Sequence, residues 1–598
     1  MTFGFSHKPL VQLAGSAITS FYRKIEVYGA ENVPEEGPII FACTHTNMAI
    51  DPAILSNTIP HKHCLHYWVK DSLFANPAMK AMLTNAGNIP VDRKTKNNQH
   101  LFRGTFEALA QDECIGVFPE GTSHTEPHLI PLKDGTSWTA LEYLVYLRGS
   151  PESGGPHKGK PAIIVPVGIA YCDKTKYRSR LAVTYGPPIS MDSYRDEFLS
   201  EQEGANKSAV KRLTADTALE LHKMTVNAPD WDTSFAAQMA RQLLWKYEDD
   251  LALADYVDVA QTLVDLFSTK GNDRIDRLKA LLVTYRDLLF SSRLSNDDLT
   301  DLPLPKTLDP SRPTPLPGRL LTLAILIKDT IVCLFRFPFF IAPFIFNLPI
   351  YAVGIWGAKL AEDEIESQAQ NKIFLGLFLS FLTYPIAFFV FCYLFWSVPF
   401  GFVFAAGAVW ILSRYHAALI DVNYNALKRL IAAWRILVGV WLGPGVEMSL
   451  NKFVDNVSSF APNPPAVAGL PAGTPKETYT KPQHLPSRVL VRHVLRTRVQ
   501  AVRELTDVLL ELEEQDTRLK SSYWLAERYG GEVTNVDHSD NVPEYERHWP
   551  QGARGAREVV AFLRGRGARF GSGSVAREEH WAAASSGDEF DVKNGKAE

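Results

Sequence analysis

The sequence is poor in cysteine and shows little charge imbalance, and each shortage argues against a class of protein. Its 598 residues include six cysteines, and no two of them form a CxxC pair, so neither a disulfide framework nor a zinc knuckle is predicted. The chain has 62 Lys and Arg against 66 Asp and Glu, a formal net charge of −4. No nucleic-acid partner is expected, because phosphate binding needs a basic surface. The N-terminus lacks a basic stretch followed by an apolar run, so no cleaved signal peptide is expected.

Two long runs without any charged residue dominate the second half of the chain. Residues 373–413 form a charge-free run of 41 residues, and one membrane crossing needs about 20 apolar residues, so this run is long enough for two. Residues 337–358 are also charge-free but contain three prolines, which fits one kinked span or a re-entrant hairpin. Lys328 and Asp329 interrupt the apolar stretch 319–335, which we expect to be interfacial or partly buried. Buried helices of a soluble core are the alternative for both runs.

Composition and hydrophobic pattern divide the chain into eight segments. Short β-type runs interleaved with helical stretches predict an α/β fold for the first large segment. The predicted strands are Ile25–Tyr28, Ile39–Thr44, His66–Val69, Asn88–Val91, Gly116–Pro119, Ala162–Ala170 and Leu181–Tyr185. The predicted segments are an amphipathic N-terminal segment (1–24), an α/β domain (25–200), a helical extension (201–300), a Pro-rich linker (301–318), a membrane region (319–442), a second Pro-rich linker (443–487), an amphipathic helix (488–530) and a largely disordered tail (531–598). Within the membrane region we predict spans at about 337–358, 373–395 and 397–413 and an interfacial helix at Tyr424–Leu442. The alternative for Tyr424–Leu442 is a helix packed under the α/β domain.

The first block with chemical character is HTNMAIDP, directly after the apolar strand IIFAC. It places His45 at a strand end, where ligands of an α/β sheet usually bind. Asp51 cannot share a helix face with His45 at a spacing of six residues, so the two meet only if a loop separates them. Asp51 would then accept the Nδ1 proton of His45, which would make the imidazole a general base. The alternative is an exposed histidine and an aspartate that caps a helix.

Three further blocks follow in the α/β segment. GNIPVDR puts Arg93 at a strand end, where a guanidinium can bind phosphate, although a surface ion pair is the commoner arrangement. FPEGTSH places a carboxylate, a flexible glycine and hydroxyls in one loop, and IVPVG has a proline in the middle of a strand, which indicates an edge or a bulge. The residues singled out here are Glu120, Gly121, Thr122, Ser123, the nearby movable cation Lys133, and Pro166.

These four ordered blocks resemble the signature of the PlsC-type glycerolipid acyltransferase family. The segments FPEGTSHTEPHLIPLKDG, KYRSRLAVTYGPPI and VNAPDWDT are, more narrowly, similar to those of the fungal glycerol-3-phosphate/dihydroxyacetone-phosphate acyltransferases. The four-block resemblance covers about residues 25–190, and the subgroup features reach about residue 300. It implies a mixed sheet flanked by helices, followed by a helical region and membrane-spanning helices.

The resemblance also implies roles for individual residues. The matching positions are His45 as base and Asp51 as orienting acid, Arg93 as phosphate ligand, Glu120 and Gly121 in glycerol phosphate binding, and Pro166 in shaping the site. Two departures stand out. Five residues separate the His and the Asp where the broad family has four, and Ser123 replaces a usual arginine. Lys133 or His124 would then supply the second phosphate contact.

The implied activity is transfer of a fatty acyl group from acyl-CoA to the sn-1 hydroxyl of glycerol 3-phosphate or dihydroxyacetone phosphate. No cofactor and no metal are expected, and the remaining partner is the lipid bilayer. Cys43 is expected to be a buried structural thiol, and the histidine-rich stretch HKHCLH would be split between strand faces. The implied location is the endoplasmic reticulum membrane with a cytosolic catalytic domain, or the lipid droplet. A lysophospholipid acyltransferase and a non-catalytic membrane scaffold are the alternatives. We expect an even number of crossings.

Overall fold

The computed structural model describes seven stretches of the chain. They are residues 3–91, 99–149, 159–300, 319–361, 365–442, 487–534 and 550–570. The predicted first linker (301–318), nearly all of the second (443–486) and the end of the predicted tail (571–598) lie outside them, and so does Arg93.

A mixed eight-stranded sheet forms the centre of the α/β domain. Its strands run in the spatial order β1-β7-β6-β2-β5-β3-β4, and β8 pairs with β6. Strands β2 to β6 are parallel to one another, whereas β7 is antiparallel to β6 and pairs with β1 in parallel. The strands are β1 Lys24–Tyr28, β2 Ile39–Cys43, β3 Leu65–Lys70, β4 Ile89–Val91, β5 Cys114–Val117, β6 Ile163–Tyr171, β7 Arg180–Tyr185 and β8 Ile189–Ser190. The predicted α/β class and mixed sheet are therefore confirmed.

Helices cover both faces of this sheet, which explains why the central strand β2 is apolar at every position. Phe41 of β2 belongs to a core with Ile18 and Ile54, whereas its neighbour Ile40 faces a second core with Leu141. The helices of this half are α1 His7–Phe21, α2 Ile50–Thr58, α3 Pro77–Asn85, α4 Gln99–Leu109, α5 Gly135–Arg148, α6 Asp192–Phe198 and α7 Ala205–Lys223. Short 3₁₀ turns lie at Ala30–Asn32, Pro60–Lys62, Asp71–Ala75, Glu248–Asp250 and Leu253–Asp255.

The predicted helical extension is helical and shares its core with the C-terminal part of the chain. Leu263 and Leu282 of the extension pack in one cluster with Leu505 and Val560. The elements are α8 Trp231–Leu244, α9 Tyr256–Phe267, α10 Asp273–Ser292, α11 Asn296–Thr300, α15 Ser487–Gln515, α16 Tyr523–Arg528, α17 Ala556–Gly565, and a three-stranded antiparallel sheet of β9 Arg518–Ser522, β10 Glu532–Thr534 and β11 Gln551–Gly555.

One sequence prediction is wrong in this C-terminal part, and a second, the largely disordered tail, is wrong for part of its range. The amphipathic helix predicted over 488–530 ends at Gln515, because Asp516 takes a left-handed backbone conformation (φ 46°) and the following residues pair with β11 as strand β9. The predicted tail 531–598 is ordered over 550–570. Val560 and Leu563 of α17 are fully buried there, since the run REVVAFL has the apolar spacing of a helix that packs on one face.

Three long helices make up the membrane region: α12 Arg319–Leu360, α13 Ile365–Leu394 and α14 Gly401–Trp441. All three are long and apolar enough to cross a membrane, judged by length and composition. The stretch 319–335 and the segment Tyr424–Leu442, predicted as interfacial, are continuous with α12 and α14 respectively. Ile436 of the second segment is buried in the same core as α15 and the helical extension, whereas the alternative prediction is packing under the α/β domain.

Candidate active site

His45 and Asp51 are in contact at the carboxyl end of β2. Residues 44–49 form a loop and α2 begins at Ile50, so Asp51 lies in the first turn of that helix. His45 Nδ1 lies 3.0 Å from Asp51 Oδ2, and the imidazole stacks on Phe118 with ring centroids 4.2 Å apart. A carboxylate at Nδ1 favours the tautomer that leaves a lone pair on Nε2. Nε2 has no hydrogen-bond partner within the described part of the chain, and the side chain is 17% exposed.

Two further donors hold the buried Asp51 carboxylate. Oδ2 accepts the Asn47 backbone N–H at 2.7 Å, and Oδ1 accepts the Tyr171 hydroxyl at 2.5 Å. Burial and the Asp51 charge raise the pKa of Tyr171 well above its usual value, so this phenol remains a donor. Together with His45, these groups replace the water that the carboxylate loses on burial.

Glu120 is a predicted substrate ligand, and the structure places it beneath the loop of residues 44–49, here called the His45 loop. It is 1% exposed; Oε1 accepts the His45 backbone N–H at 2.6 Å, and Oε2 lies 3.0 Å from His124 Nδ1. Burial lowers the pKa of His124, but its contact with the Glu120 carboxylate outweighs this effect, so the pKa is raised. Both carboxylate oxygens thus face protein groups, which supports a role for Glu120 in positioning His45.

The structure separates the two candidates for a second phosphate contact. Gly121 has φ 75°, and a Cβ there would lie 2.5 Å from Lys133 Nζ, so the lysine covers this glycine. The Lys133 backbone N–H donates to the Pro119 carbonyl at 2.8 Å. Its side chain is exposed and has no carboxylate partner among the residues described. His124 is 2% exposed and is already engaged by Glu120, so Lys133 is the better placed cation.

The remaining residues of the third block pack within the site. Ser123 is buried and its hydroxyl contacts the Met48 sulfur in the loop after β2. The Thr122 hydroxyl donates to the Ser123 carbonyl at 3.3 Å. These contacts connect the third block to the first, and the substrate-binding roles of both residues stay predictions.

Pro166 lies in the middle of β6, where it pairs with Ala42 of β2. Its carbonyl accepts the Gly186 N–H at 2.9 Å, so the position without an N–H faces the connection between β7 and β8. That connection interrupts the pairing, and for this reason a proline is tolerated in an interior strand. The site-shaping role of Pro166 stays a prediction, as does phosphate binding by Arg93, which lies outside the described residues.

The thiol and the histidine-rich stretch near the site have structural surroundings. Cys43 is fully buried, and burial, with the charges of Asp51 and Glu120, raises the pKa of its thiol well above the usual value, which disfavours a nucleophilic thiolate. His61 Nε2 and His63 Nε2 lie 3.1 and 2.9 Å from the carbonyls of Val33 and Pro34. Across the stretches described, no three His, Cys, Asp or Glu side chains are grouped so that they could hold a metal ion.

Sequence reasoning missed Lys174, which follows β6 on the same sheet edge as His45. Its Nζ donates to the Thr46 carbonyl at 2.9 Å and to the Thr125 hydroxyl at 2.6 Å. The signal was available, because β6 is parallel to β2 and its end therefore reaches the site edge. Tyr171, the last residue of β6, was also missed, although it lies at the same strand end.

This arrangement can remove a proton from an alcohol. His45 presents an unpaired Nε2, and Asp51 stabilises the imidazolium that forms when Nε2 takes the proton. Lys133 provides a positive charge over Gly121, in the same loop as Glu120, and a cation suits an anionic substrate.

A protein-family model matches most of the α/β domain. Residues 24–170 match the protein-family model described as Acyltransferase, so the chain carries an acyltransferase domain. The match begins with β1, ends within β6 and includes the His45–Asp51 pair and Glu120.

Two curated proteins of Saccharomyces cerevisiae are similar to the chain. Glycerol-3-phosphate O-acyltransferase 2 is 31% identical over 225 residues, which cover 37% of this chain and 28% of the relative. Glycerol-3-phosphate O-acyltransferase 1 is 29% identical over 207 residues, which cover 34% and 25%. The chain thus spans about a quarter of the length of these relatives.

Two bacterial proteins are also similar. The 1-acyl-sn-glycerol-3-phosphate acyltransferase of Bacillus subtilis is 30% identical over 118 residues, which cover 20% of this chain and 57% of the relative. The crystal structure of the 1-acyl-sn-glycerophosphate acyltransferase PlsC from Thermotoga maritima aligns with a TM-score of 0.25 at 15% identity and covers 36% of this chain and 78% of that one.

Proposed function

We propose that this chain, whose residues 24–170 are an acyltransferase domain, is a membrane-bound enzyme that moves a fatty acyl group from acyl-CoA to the sn-1 hydroxyl of glycerol 3-phosphate, dihydroxyacetone phosphate or both. The observation that carries the proposal is the contact of His45 Nδ1 with Asp51 at 3.0 Å beside an Nε2 left without a partner in the described residues. The printed names of the two yeast relatives support the acceptor.

The proposed reaction is a direct transfer. His45 Nε2 takes the hydroxyl proton while that oxygen forms a bond to the thioester carbonyl carbon. The tetrahedral intermediate then collapses, the carbon–sulfur bond breaks, and coenzyme A leaves as a thiolate. The imidazolium, held by Asp51, returns the proton to the thiolate or to water. General-base assistance of this kind contributes about 10²–10⁴-fold to the rate, and no cofactor is required.

The phosphate of the acceptor is assigned to cations beside the base. Lys133 is exposed next to Gly121, and Arg93 is carried over from the second block. Arg93→Ala is expected to raise KM for the phosphate acceptor far more than KM for acyl-CoA, because only the acceptor's phosphate would contact the guanidinium. An unchanged acceptor KM would remove Arg93 from the site.

The membrane helices give the reaction its location. A fatty acyl chain gains about 0.8 kcal/mol for each buried CH₂, so the donor and the lysophosphatidate product remain near the bilayer. The first turns of α13 contact the His45 loop, which supports a site at the lipid surface. Cytosolic substrates place the catalytic domain on the cytosolic face, and we propose the endoplasmic reticulum membrane as its location.

A substrate panel on the purified full chain in lipid nanodiscs tests the proposal. Labelled acyl-CoA is supplied with glycerol 3-phosphate, dihydroxyacetone phosphate or lysophosphatidate. Wild type is expected to acylate at least one of the first two, and His45→Ala to lose about 10²–10⁴-fold in kcat. His63→Gln is the matched control, since its amide can replace the bond to Pro34. Wild-type rates in His45→Ala would end the general-base assignment.

A lysophosphatidate acyltransferase is the second candidate. The Bacillus subtilis relative, named as a 1-acyl-sn-glycerol-3-phosphate acyltransferase, supports it, and the chemistry at His45 would be the same. Transfer to lysophosphatidate alone would select this candidate. No transfer to any acceptor would favour a non-catalytic membrane scaffold.

A further inference from the structure

A chain of hydrogen bonds runs from the His45 loop to the first turn of α13. Lys174 Nζ donates to the Thr46 carbonyl, next to His45, and to the Thr125 hydroxyl. Thr125 donates in turn to Glu366 Oε2 at 2.9 Å. Lys174 therefore connects three separate pieces: the loop after β2, the loop after β5 and a candidate membrane-spanning helix.

The same end of α13 also contacts the His45 loop directly. Gln370 Oε1 accepts the Ala49 N–H at 3.0 Å. Ala369 and Ile373, on the neighbouring turns, are buried in one core with Ile50 of α2. The loop that carries His45 is thus held by Lys174 at Thr46 and by α13 at Ala49.

Lys174 lies within a group of carboxylates. The charged groups that face it are Asp51, Glu120, Asp173, Glu366 and the imidazole of His124. Desolvation lowers the pKa of Lys174 to about 8, although these carboxylates oppose the shift. The lysine side chain is half-buried, so water cannot freely take the place of its ammonium group among these carboxylates.

We propose that Lys174 is a positioning residue that couples the docking of α13 to the geometry of the His45 loop. It acts through the Thr46 carbonyl on one side and through Thr125 and Glu366 on the other. Its effect on rate rests on the proposed acyl transfer. The His45 loop then adopts its active geometry only when α13 is docked against the α/β domain.

Kinetics of the full chain in nanodiscs test the proposal. Lys174→Met is expected to lower kcat by about 100-fold, because a misplacement of about 1 Å in a catalytic group costs that much, with little change in KM for acyl-CoA. Lys176→Met is the matched control: it lies on the same loop but its ammonium pairs with Glu248 and Asp297, so its kcat is expected to stay near wild type.

The pH profile separates a charge effect from a packing effect. Wild-type kcat is expected to fall as pH rises through about 8, where the Lys174 ammonium loses its proton. Lys174→Arg keeps the charge and is expected to retain part of the activity while moving this alkaline limb upward. An alkaline limb that is identical in wild type and Lys174→Arg would overturn the charge role.

Hydrogen exchange provides a readout that needs no substrate. Amides of residues 44–51 are expected to exchange faster in Lys174→Met and in Glu366→Ala than in wild type, and to be unchanged in Lys176→Met. Unchanged exchange together with unchanged kcat in Lys174→Met would refute the coupling. Faster exchange in Lys174→Met, together with a wild-type chain that acylates none of the acceptors, would leave the coupling intact and refute the proposed function.

Discussion

The Asp51 carboxylate organises the candidate site at the scale of single residues. Its two oxygens take donors from His45, Asn47 and Tyr171. A carboxylate with this many fixed donors has one orientation, and it imposes that orientation on the imidazole. The position of the His45 imidazole is therefore set by a fully buried carboxylate.

Asp51→Asn is expected to lower kcat by about 10²–10⁴-fold, because an amide can turn its NH₂ toward Nδ1 and favour the wrong tautomer of His45. KM for both substrates should change little, since the amide is nearly isosteric. Steady-state kinetics of the purified chain would check this. A rise in KM without a fall in kcat would instead place Asp51 in substrate binding.

The His124–Glu120 pair predicts a pH-dependent stability. The contact with Glu120 raises the pKa of His124 above 6.5, against the opposing effects of burial and Lys174. This stabilisation is fully present below the unfolded pKa of about 6.5 and is lost as pH rises through the raised folded value. His124→Gln cannot titrate, so its deficit in thermal midpoint relative to wild type should shrink above about pH 6.5. Melting curves at several pH values test this, and a deficit independent of pH would contradict it.

At the scale of elements, the site is formed by loops that lie side by side at the carboxyl ends of parallel strands. β2 leads to His45, β5 to Glu120 and β6 to Lys174. These strands are neighbours in the sheet, so residues far apart in sequence meet at one edge. The loop after β5 turns at Gly121, whose φ of 75° lies in the left-handed region.

Gly121→Ala is expected to raise KM for the phosphate acceptor more than KM for acyl-CoA. The new Cβ would collide with Lys133 Nζ at 2.5 Å and displace this cation. The left-handed backbone adds a strain of about 1 kcal/mol. Gly204→Ala is the control, because Gly204 has φ 85° with open space around it. Equal changes in acceptor KM for both variants would show that only backbone strain matters.

Helix α17 is part of the folded core, which gives a prediction about stability. Leu563 is fully buried, so Leu563→Ala is expected to cost about 2–5 kcal/mol of unfolding free energy. Val533 in β10 is 45% exposed, and Val533→Ala should change stability by no more than about 0.5 kcal/mol. Denaturant unfolding of the full chain in detergent measures both. A tolerant Leu563→Ala would mean that α17 does not stabilise the domain.

At the scale of the whole molecule, the chain on both sides of the membrane region folds into one body. Leu263, before it, and Leu505, after it, belong to the same core. We therefore expect both flanks to lie on one side of the bilayer and the number of complete crossings to be even. The two ends of α12 contact its neighbouring helices: the Trp441 indole of α14 donates to the Arg319 carbonyl, and Asn371 of α13 donates to the Gly357 carbonyl.

We expect α13 and the first half of α14 to form the crossing pair, with α12 entering without crossing. Single-cysteine variants in a chain freed of its native cysteines test this in sealed vesicles. Ser397→Cys, in the turn between α13 and α14, should react with an impermeant thiol reagent only from the face opposite the catalytic domain. Lys359→Cys, near the end of α12, should react only from the catalytic face. Reaction of both from one face would contradict this topology.

The sequence alone was sufficient for features that depend on local pattern. The strands of the sheet follow from short apolar runs, and the charge-free run 373–413 predicts the hairpin of α13 and α14. For Asp51 and His45 the sequence provided only a condition, that the two can meet if a loop separates them, and the structure supplied the loop and the contact. The resemblance to a known family added the expected roles of these residues.

Tertiary structure alone decided what depends on residues that are distant in sequence. Lys174 reaches the site because β6 lies beside β2, which places it against Thr46, 128 residues away. Arg518–Ser522 became a strand because β11 pairs with it, although its sequence continues a helical pattern. The core shared by both flanks is likewise the basis on which we expect an even number of crossings. Local periodicity carries no information about such pairings, since their free energy comes from surfaces that meet only when the chain has folded.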